Sequence, residues 1–288
     1  FNYDDDSIAG FSQTHLNGTG VPDLGDIRML PFNQNLQGER FFCRYERETQ
    51  VAMPGYYSVK LADMNIDVEL TVTERTAMHK YTFNQPGEAN LLLDLQNGLV
   101  FNSKNIRYRV LEGEVEMLDN KTIAGYNRVR GWVARYFYYM IVFDRPYTVK
   151  KELPQEEGEK AKRFILEFDL KEGESVQVKV ALSTVGIEGA KMALDKENPG
   201  WNFESIKAET NGKWNDVLSL AEVEGTEEEK MNFYTSMYHL FIQPTNIADI
   251  DGKYRGANDS IFVSSTGYYY STFSLWDTYR AAHPLYTL

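Results

Sequence analysis

The segment Val176-Gln177-Val178-Lys179-Val180-Ala181-Leu182 alternates apolar and polar residues over most of its length. Successive side chains of a β-strand point to opposite faces, so a period of two predicts a strand with one buried and one solvent-facing side. The segment Val68-Glu69-Leu70-Thr71-Val72-Thr73 has the same alternation. This pattern recurs from about residue 40 to about residue 185, and it predicts a domain built from strands.

Further strands and turns are predicted within this region. Four more candidate strands have alternating or β-branched and aromatic residues, and they lie at 89–95, 106–118, 131–143 and 163–170. Asn97-Gly98, Asp119-Asn120 and Glu172-Gly173 have the residue types of hairpin turns. The charged stretch 150–162, which contains one proline and one glycine, is predicted to be a solvated loop. Many antiparallel strands without intervening helices predict a β-sandwich.

The spacing of apolar residues changes after Gly186. Apolar residues three and four positions apart predict helices over 187–196 and 201–219. The run Thr226-Glu227-Glu228-Glu229 has the spacing of a capping box, so it predicts the start of a third helix, which Pro244 ends. An all-β region is therefore followed by a mainly helical one.

The last part of the chain has two more predicted elements. Asp251-Gly252 predicts a hairpin, and a helix is expected to begin at Ser274. We therefore divide the chain into a β-sandwich domain at 1–186, a helical linker at 187–245 and the start of a further helical domain at 246–288.

Composition and charge exclude several classes of partner. The chain has 288 residues, of which 42% are hydrophobic and 25% charged, and these values are ordinary for a globular protein with a sizeable core. Its formal net charge is -12 and its pI is about 4.9. Nucleic acids and anionic membranes are bound through basic patches, so neither is an expected partner.

The lone cysteine and the hydropathy of the chain also limit the possibilities. Cys43 has no second cysteine with which to form an intrachain disulfide, and its strand-like flanks predict a buried, unreactive thiol. No run of about eighteen apolar residues is present, so no membrane-spanning helix is expected. The sequence has no phosphate-binding loop, no His-Glu-x-x-His motif and no paired cysteines.

A glycine-rich polar segment, Thr14-His15-Leu16-Asn17-Gly18-Thr19-Gly20-Val21-Pro22-Asp23-Leu24-Gly25-Asp26, has the character of a ligand-binding loop. Glycines allow the backbone to approach a ligand closely, and the polar groups fix its orientation. His15 is able to donate a hydrogen bond to a ligand oxygen or to a backbone carbonyl that shapes the loop. Asp23 and Asp26 are expected to order the loop by accepting hydrogen bonds from backbone N–H groups. The alternative is a tight connection with no ligand.

A second polar segment, Tyr268 to Pro284, combines aromatic, acidic and basic side chains. Within it, Ser274-Leu275-Trp276-Asp277 has capping-box spacing, so the Asp277 carboxylate is able to accept a hydrogen bond from the Ser274 N–H. Alternatively, Asp277 faces a cavity and accepts hydrogen bonds from a ligand's hydroxyl groups, with Arg280 as a matching donor one turn further on. Trp276 either stacks on the ligand or packs beneath it.

Taken together, the two segments resemble glycoside hydrolase family 92, the calcium-dependent, exo-acting α-mannosidases. The resemblance rests on Thr-His-Leu-x-Gly-Thr-Gly-x-x-Asp-Leu-Gly-Asp at 14–26 and on Phe-Ser-Leu-Trp-Asp-Thr at 273–278, in that order. It extends to Tyr238-His239 and to Asp251-Gly252-Lys253-Tyr254-Arg255-Gly256. It implies that an N-terminal β-sandwich, of the kind called a supersandwich, and linker helices precede an (α/α)6-barrel catalytic domain, which begins at 246–288.

The resemblance also implies an activity, the removal of terminal α-linked mannose from mannosides or N-glycans with inversion of configuration. By this resemblance, the catalytic acid, the catalytic base and the calcium ligands all lie beyond Leu288. This chain would then hold no catalytic residue and no metal ligand, and it would contribute substrate-binding residues. The residues expected to bind substrate are Asp277, Trp276, His15, Gly18, Thr19 and Arg280.

The expected partners are a mannose-containing oligosaccharide and the remainder of the catalytic domain. The chain opens at Phe1 without an initiator methionine and stops at Leu288 within a predicted helix, so we expect both ends to be truncated. A secreted, periplasmic or cell-surface enzyme of a bacterium is expected. Two alternatives are a free-standing carbohydrate-binding module and a structural sandwich that only packs against a partner domain. The sequence does not determine which mannosidic linkage is preferred.

Overall fold

The computed structural model describes residues 5–16, 22–33, 41–100, 103–131, 134–271 and 274–287. Strands occur at β1 Ser7–Ile8, β2 Arg28–Phe32, β3 Cys43–Met53, β4 Tyr56–Leu61, β5 Ile66–Val72, β6 Thr76–Phe83, β7 Ala89–Asp94, β8 Val110–Met117, β9 Thr122–Val129, β10 Arg135–Phe143, β11 Tyr147–Glu152, β12 Arg163–Phe168, β13 Ser175–Ser183, β14 Lys253–Arg255 and β15 Ile261–Val263. The α-helices are α1 Ile187–Glu197, α2 Phe203–Leu218, α3 Glu227–Phe241, α4 Leu275–Thr278 and α5 Ala282–Leu285. Two 3₁₀ helices lie at Ala62–Met64 and Ser103–Tyr108.

The first thirteen strands form two sheets. The larger sheet has nine strands in the order β1-β3-β4-β5-β6-β13-β10-β9-β8, and the smaller has four in the order β11-β12-β7-β2. Every strand pairing within the described residues is antiparallel. The predicted antiparallel β-sandwich is therefore confirmed.

One continuous apolar core joins the two sheets. From the large sheet, Val176, Val178 and Val180 are buried at alternate positions of β13, as the period of two predicts. From the small sheet, all six residues of β7 are buried between β12 and β2. Each fully buried Val or Leu side chain contributes about 1.5–3 kcal/mol through removal of apolar surface from water.

Two helices cover part of the outer face of the large sheet. Ala190, Ala193 and Leu194 of α1 pack with Ala181 of β13. Farther along the sheet, Phe203 and Ile206 of α2 pack on Met78, which lies in β6. The outer face of β13, which the alternation predicts to be solvent-facing, is consequently buried at this point.

Lys179 illustrates how a charged side chain is accommodated under these helices. It is buried, its ammonium donates to the Asn198 carbonyl at 2.7 Å, and it lies 4.2 Å from the centroid of the Trp201 ring. Burial lowers the pKa of Lys179. Its polar appearance in the sequence therefore does not indicate solvent exposure.

The predicted helices after Gly186 are present, with ends close to those expected. The capping box of α3 is complete, because the Glu229 N–H donates to Thr226 Oγ1 at 3.3 Å and the Thr226 N–H donates to Glu229 Oε2 at 2.8 Å. The pair satisfies two backbone groups that a helix start otherwise leaves unpaired. Helix α3 ends before Pro244, as predicted.

Several turn predictions differ from the structure. Asp119-Asn120 joins the paired strands β8 and β9 in a hairpin. Asn97-Gly98 and Glu172-Gly173 do not form hairpins, because each follows a strand of the small sheet and leads to one of the large sheet. The predicted strand 106–118 begins within a 3₁₀ helix, and the predicted loop 150–162 has its first residues in the edge strand β11.

The final predicted elements also need correction. The hairpin of β14 and β15 turns at 256–260 rather than at Asp251-Gly252. The helix expected from Ser274 is broken into α4 and α5. Pro284 explains the break, because in a continuous helix its ring would clash with the carbonyl of Arg280 four residues earlier.

Two predictions about chemistry and hydropathy have structural counterparts. Cys43 is buried in β3, as predicted, and burial raises the pKa of its thiol to about 12, which favours the protonated form. In the portion of the chain that the structure describes, no α-helix combines the length and apolar character that crossing a membrane requires.

Candidate functional site

The glycine-rich loop is closed at its base by hydrogen bonds between its two ends. The Gln13 N–H donates to the Asp26 carbonyl at 2.9 Å, and the Gly25 N–H donates to the Thr14 carbonyl at 3.0 Å. The Thr14 hydroxyl donates to Asp26 Oδ2 at 2.7 Å and accepts from the Asp26 N–H at 2.9 Å. We call these hydrogen bonds among Gln13, Thr14, Gly25 and Asp26 the clamp. The chain leaves the clamp at Thr14 and returns to it at Gly25.

Charged groups surround residues 22–26, which form the returning limb of the loop. The carboxylate of Asp26 forms a buried ion pair with Arg109, in which both side chains are 1% exposed. Asp23 forms a bidentate pair with Arg135, with N–O distances of 2.9 and 3.1 Å. Nη2 of Arg135 also lies 3.7 Å from Oδ2 of Asp26. Two aspartates and two arginines thus form one neutral cluster.

The prediction for Asp23 and Asp26 is correct in part. The Leu24 N–H does donate to Asp23 Oδ1 at 2.7 Å, as expected of a residue that orders a loop. The main partners of both carboxylates are nevertheless arginine side chains. Neither Arg109 nor Arg135 was predicted to contact the loop, because each is far from it along the chain.

The backbone of the returning limb has an unusual conformation. Leu24 has φ of 65°, Gly25 of 80° and Ile27 of 53°, all in the left-handed region. This region costs an L-residue roughly 1–2 kcal/mol, and a β-branched residue such as Ile27 is rarely found there. Such strain persists only where the surrounding contacts determine the conformation, and it is typical of functional loops.

The predicted site residues of this loop have different outcomes. His15 directly follows the clamp and is exposed, as a ligand-facing residue would be. Gly18 and Thr19 lie outside the described residues. A substrate-binding role for these three residues stays a prediction.

The predicted residues of the C-terminal segment lie at the surface. Trp276 is 85% exposed, and Asp277 and Arg280 are also exposed. In the described part of this segment, the capping box of Ser274 and Asp277 does not form. The capping alternative for Asp277 is therefore not observed, and its role in substrate binding stays a prediction.

The neighbours of this segment are helical. Tyr286 donates its hydroxyl hydrogen towards the carbonyls of Leu240 and Gln243, at 3.1 and 2.5 Å, at the end of α3. His283 Nε2 and Thr278 Oγ1 lie 3.1 Å apart and link α5 to α4. The segment is thus anchored on helix α3, whereas the glycine-rich loop is anchored on the sandwich.

The hairpin of β14 and β15 and the tyrosines at the start of the C-terminal segment bring aromatic rings together at the surface. Tyr254 and Tyr269 stack with centroids 3.7 Å apart, and the half-exposed rings of Tyr268 and Tyr270 are parallel to within 5°. Arg255 joins the hairpin to the sandwich, because its Nε donates to the Thr184 carbonyl at 2.8 Å. Arg255 was not predicted as an anchor, although its sequence neighbourhood was part of the family resemblance.

A cavity of about 390 Å³ lies elsewhere, against β8, β9 and β10 and the loop that follows β11. Leu95, Gly113, Asn127, Tyr139 and Ala161 line it, and none of the predicted site residues does. It is therefore not assigned to the candidate site. Among the residues that the structure describes, no group of three or more His, Cys, Asp or Glu side chains is arranged to hold a metal ion.

The class of protein follows from comparison with known families. The profile of the glycosyl hydrolase family 92 N-terminal domain matches residues 1–183, and that of the family's catalytic domain matches residues 189–288. The chain belongs to glycoside hydrolase family 92.

Solved structures agree with this assignment. A family 92 α-mannosidase from Bacteroides thetaiotaomicron matches with 30% sequence identity and a TM-score of 0.90. The match covers 100% of this chain and 41% of the mannosidase chain. Its complex with mannoimidazole gives the same identity and TM-score over 40% of its length. An inverting family 92 mannosidase from Bacteroides thetaiotaomicron VPI-5482 has 23% identity and a TM-score of 0.83, over 100% of this chain and 40% of its own, and this likeness concerns the fold.

The chain spans about two fifths of the length of these relatives. A search of curated proteins gave no match. The fold expected from the sequence, a β-sandwich followed by linker helices and the start of a helical domain, is confirmed.

Proposed function

We propose that this chain is the N-terminal part of an exo-acting α-mannosidase that removes terminal α-linked mannose with inversion. The observation that carries the proposal is the match over the whole chain, at 30% identity, to an α-mannosidase. That relative has also been solved in complex with mannoimidazole, which supports a mannoside as the ligand class. Mannosides or N-glycans are the proposed substrates.

Inverting hydrolysis needs two carboxyl groups on opposite sides of the scissile bond. One protonates the leaving oxygen, and the other activates water for attack on the opposite face of the sugar. We propose that both groups lie outside this chain. The chain would instead bind and orient the sugar through His15, Gly18, Thr19, Trp276, Asp277 and Arg280.

Calcium dependence is part of the proposal. When bound, such an ion would polarise sugar hydroxyls and hold the ring in position. The described residues do not provide a fitting set of ligands, so no step of the mechanism is assigned to calcium in this chain. The proposed ligands lie outside these 288 residues.

The exposed apolar surface supports a further part of the proposal. Leu275, Trp276 and Tyr279 around α4 are 63–85% exposed, and Met231 of α3 is 67% exposed. Large exposed apolar patches commonly mark interaction surfaces. We propose that the remainder of the catalytic domain covers these side chains.

We further propose that the complete enzyme works outside the bacterial cytoplasm, as a secreted, periplasmic or cell-surface protein.

The test is the substitution Asp277→Asn in the complete enzyme. If Asp277 accepts hydrogen bonds from mannose hydroxyls, loss of its charge removes on the order of 2–4 kcal/mol of transition-state binding, or about 30- to 1,000-fold in kcat/KM. The measurements are kcat/KM on an aryl α-mannoside and the melting temperature, which should not change.

Asp195→Asn is the matched control. Asp195 is an exposed aspartate paired with Lys191 on α1, and its substitution should leave kcat/KM unchanged. Near-normal kcat/KM in folded Asp277→Asn protein would remove Asp277 from the site. Turnover of the mannoside by residues 1–288 alone would show that the catalytic carboxylates lie within this chain.

A further inference from the structure

The ion-pair cluster beneath the glycine-rich loop joins parts of the chain that are distant in sequence. Asp26 and Arg109 are 83 residues apart, and Asp23 and Arg135 are 112 residues apart. The aspartates lie just before β2 of the small sheet, whereas Arg109 immediately precedes β8 and Arg135 begins β10 of the large sheet. The cluster therefore fixes the loop against the edge of the opposite sheet.

Backbone groups also hold the ion-pair cluster in place, through hydrogen bonds to Arg109 and Leu24. The Arg109 guanidinium donates to the Leu24 carbonyl at 3.1 Å, and the Leu99 N–H donates to the same oxygen at 2.8 Å. The Arg109 carbonyl in turn accepts from the Arg130 N–H at 2.7 Å. The strained Leu24 backbone is thus held from two sides.

Two glycines provide the space that the arginines occupy. A Cβ on Gly98 would clash with the Arg109 guanidinium, and a Cβ on Gly131 would clash with both Arg135 and the Asp23 carboxylate. At these positions the absence of a side chain allows the close approach of ion pair and backbone. Side-chain pairs and glycine positions therefore form one arrangement.

The two pairs differ in exposure, which separates their roles. The Asp26–Arg109 pair is fully buried at the base of the loop, next to the Thr14 hydroxyl that bonds the same carboxylate. The Asp23–Arg135 pair is nearer to solvent, with the Arg135 side chain 26% exposed. The Asp26–Arg109 pair anchors the base of the loop, and the Asp23–Arg135 pair holds the residues just before Asp26.

We propose that Arg109 and Arg135 are positioning residues that hold residues 22–26 against Thr14, and thereby place His15 where it binds the terminal mannose. The proposal rests on the function proposed above, because it assigns a purpose to the contacts that hold these residues together. Neither arginine is required to contact the sugar. Arg135 forms two parallel hydrogen bonds to the Asp23 carboxylate, which restrict it more than a lysine would and suit this role.

The test compares Arg135→Met, Arg135→Lys and Arg163→Met in the complete protein. Arg163 is a matched control, because it pairs with Glu159 at 3.0 Å with side chains 18% and 5% exposed, against 26% and 9% for Arg135 and Asp23. We expect Arg135→Met to raise the KM for an aryl α-mannoside and the Kd for mannoimidazole at least tenfold, with kcat changed less. Arg135→Lys should recover part of this loss, and Arg163→Met should change neither constant.

A second readout does not depend on activity. Hydrogen exchange at the amides of Gln13, Gly25 and Asp26 reports whether the base of the loop stays closed. We expect at least tenfold faster exchange in Arg135→Met and no change in Arg163→Met. Equal exchange in the two variants, or faster exchange with unchanged KM and Kd, would overturn the proposal.

The two proposals fail in different ways. A parent protein that neither turns over the mannoside nor binds mannoimidazole would overturn the proposed function and, with it, the mannose-binding purpose of the loop. The exchange measurement would still decide whether Arg135 holds the loop closed.

Discussion

The sandwich and the helical region differ in how completely each buries its own apolar residues. In the sandwich, residues of both sheets form one continuous core. In helix α3, every residue of which the structure describes, Met237 is the one buried residue. The difference shows that the sandwich supplies its own core, whereas α3 and α4 leave large apolar side chains exposed.

Electrostatics separates the two regions in the same way. Asp26 and Arg109, which are buried in the sandwich, pair with each other. At the junction, Asp249 accepts from the Ser183 hydroxyl at 2.7 Å, and desolvation raises its pKa to about 6. Substitutions in the two regions test whether these contrasts hold.

Arg109→Met should destabilise the sandwich by about 3–5 kcal/mol, because it leaves the buried Asp26 carboxylate without its counter-charge. The free energy of unfolding in urea is the measurement. Arg44→Met is the control, since the Arg44 side chain is 70% exposed in its pair with Asp63 and its replacement should leave the free energy of unfolding nearly unchanged. A loss below about 1 kcal/mol for Arg109→Met would show that the sandwich does not depend on this pair.

His79 should make the sandwich sensitive to acid. It is buried in β6 near Tyr81 and Gln13, and burial lowers its pKa from 6.5 to about 3. As pH falls below 6.5 the unfolded state binds a proton that the folded state does not, so stability falls until pH reaches about 3. Between pH 7 and pH 4 the parent should lose about 3 kcal/mol more than His79→Gln, measured by urea unfolding at each pH. Parallel pH curves for the two proteins would contradict this.

Asp249 should have the opposite pH dependence at the junction. Because its folded pKa is above the unfolded value of 3.8, the folded state keeps a proton that the unfolded state has lost between about pH 4 and pH 6. Stability therefore falls as pH rises through this window, by about 2 kcal/mol, and changes no further above it. Asp249→Asn should remove this fall, and its advantage over the parent should disappear at pH 4.

Trp276→Ala should change the stability of this 288-residue chain by less than about 0.5 kcal/mol, because the side chain is already in water. Phe143→Ala, in the core of the sandwich, should cost about 3–5 kcal/mol. Thermal or urea unfolding of the two variants gives the comparison directly. A large loss for Trp276→Ala would mean that the helical region has a core of its own.

Local patterns predicted the parts of the fold that depend on neighbouring residues. The alternation in 176–182 identified β13, and Thr226 with Glu229 identified the start of α3. The turn predictions were less successful, because whether Asn97-Gly98 closes a hairpin depends on which sheet receives the next strand. The contact between His79 and Gln13 also follows no local pattern, since the two residues are 66 positions apart.

The period of each main element, the helix cap and the two motifs by which the family is recognised were predictable, because they depend on residues a few positions apart. Tertiary packing was needed to pair Asp23 and Asp26 with Arg135 and Arg109, to place helix α1 over β13, and to leave Trp276 exposed. Ion pairs over 83 and 112 residues form only when two sheets meet, and no local pattern encodes which side chains that meeting brings together.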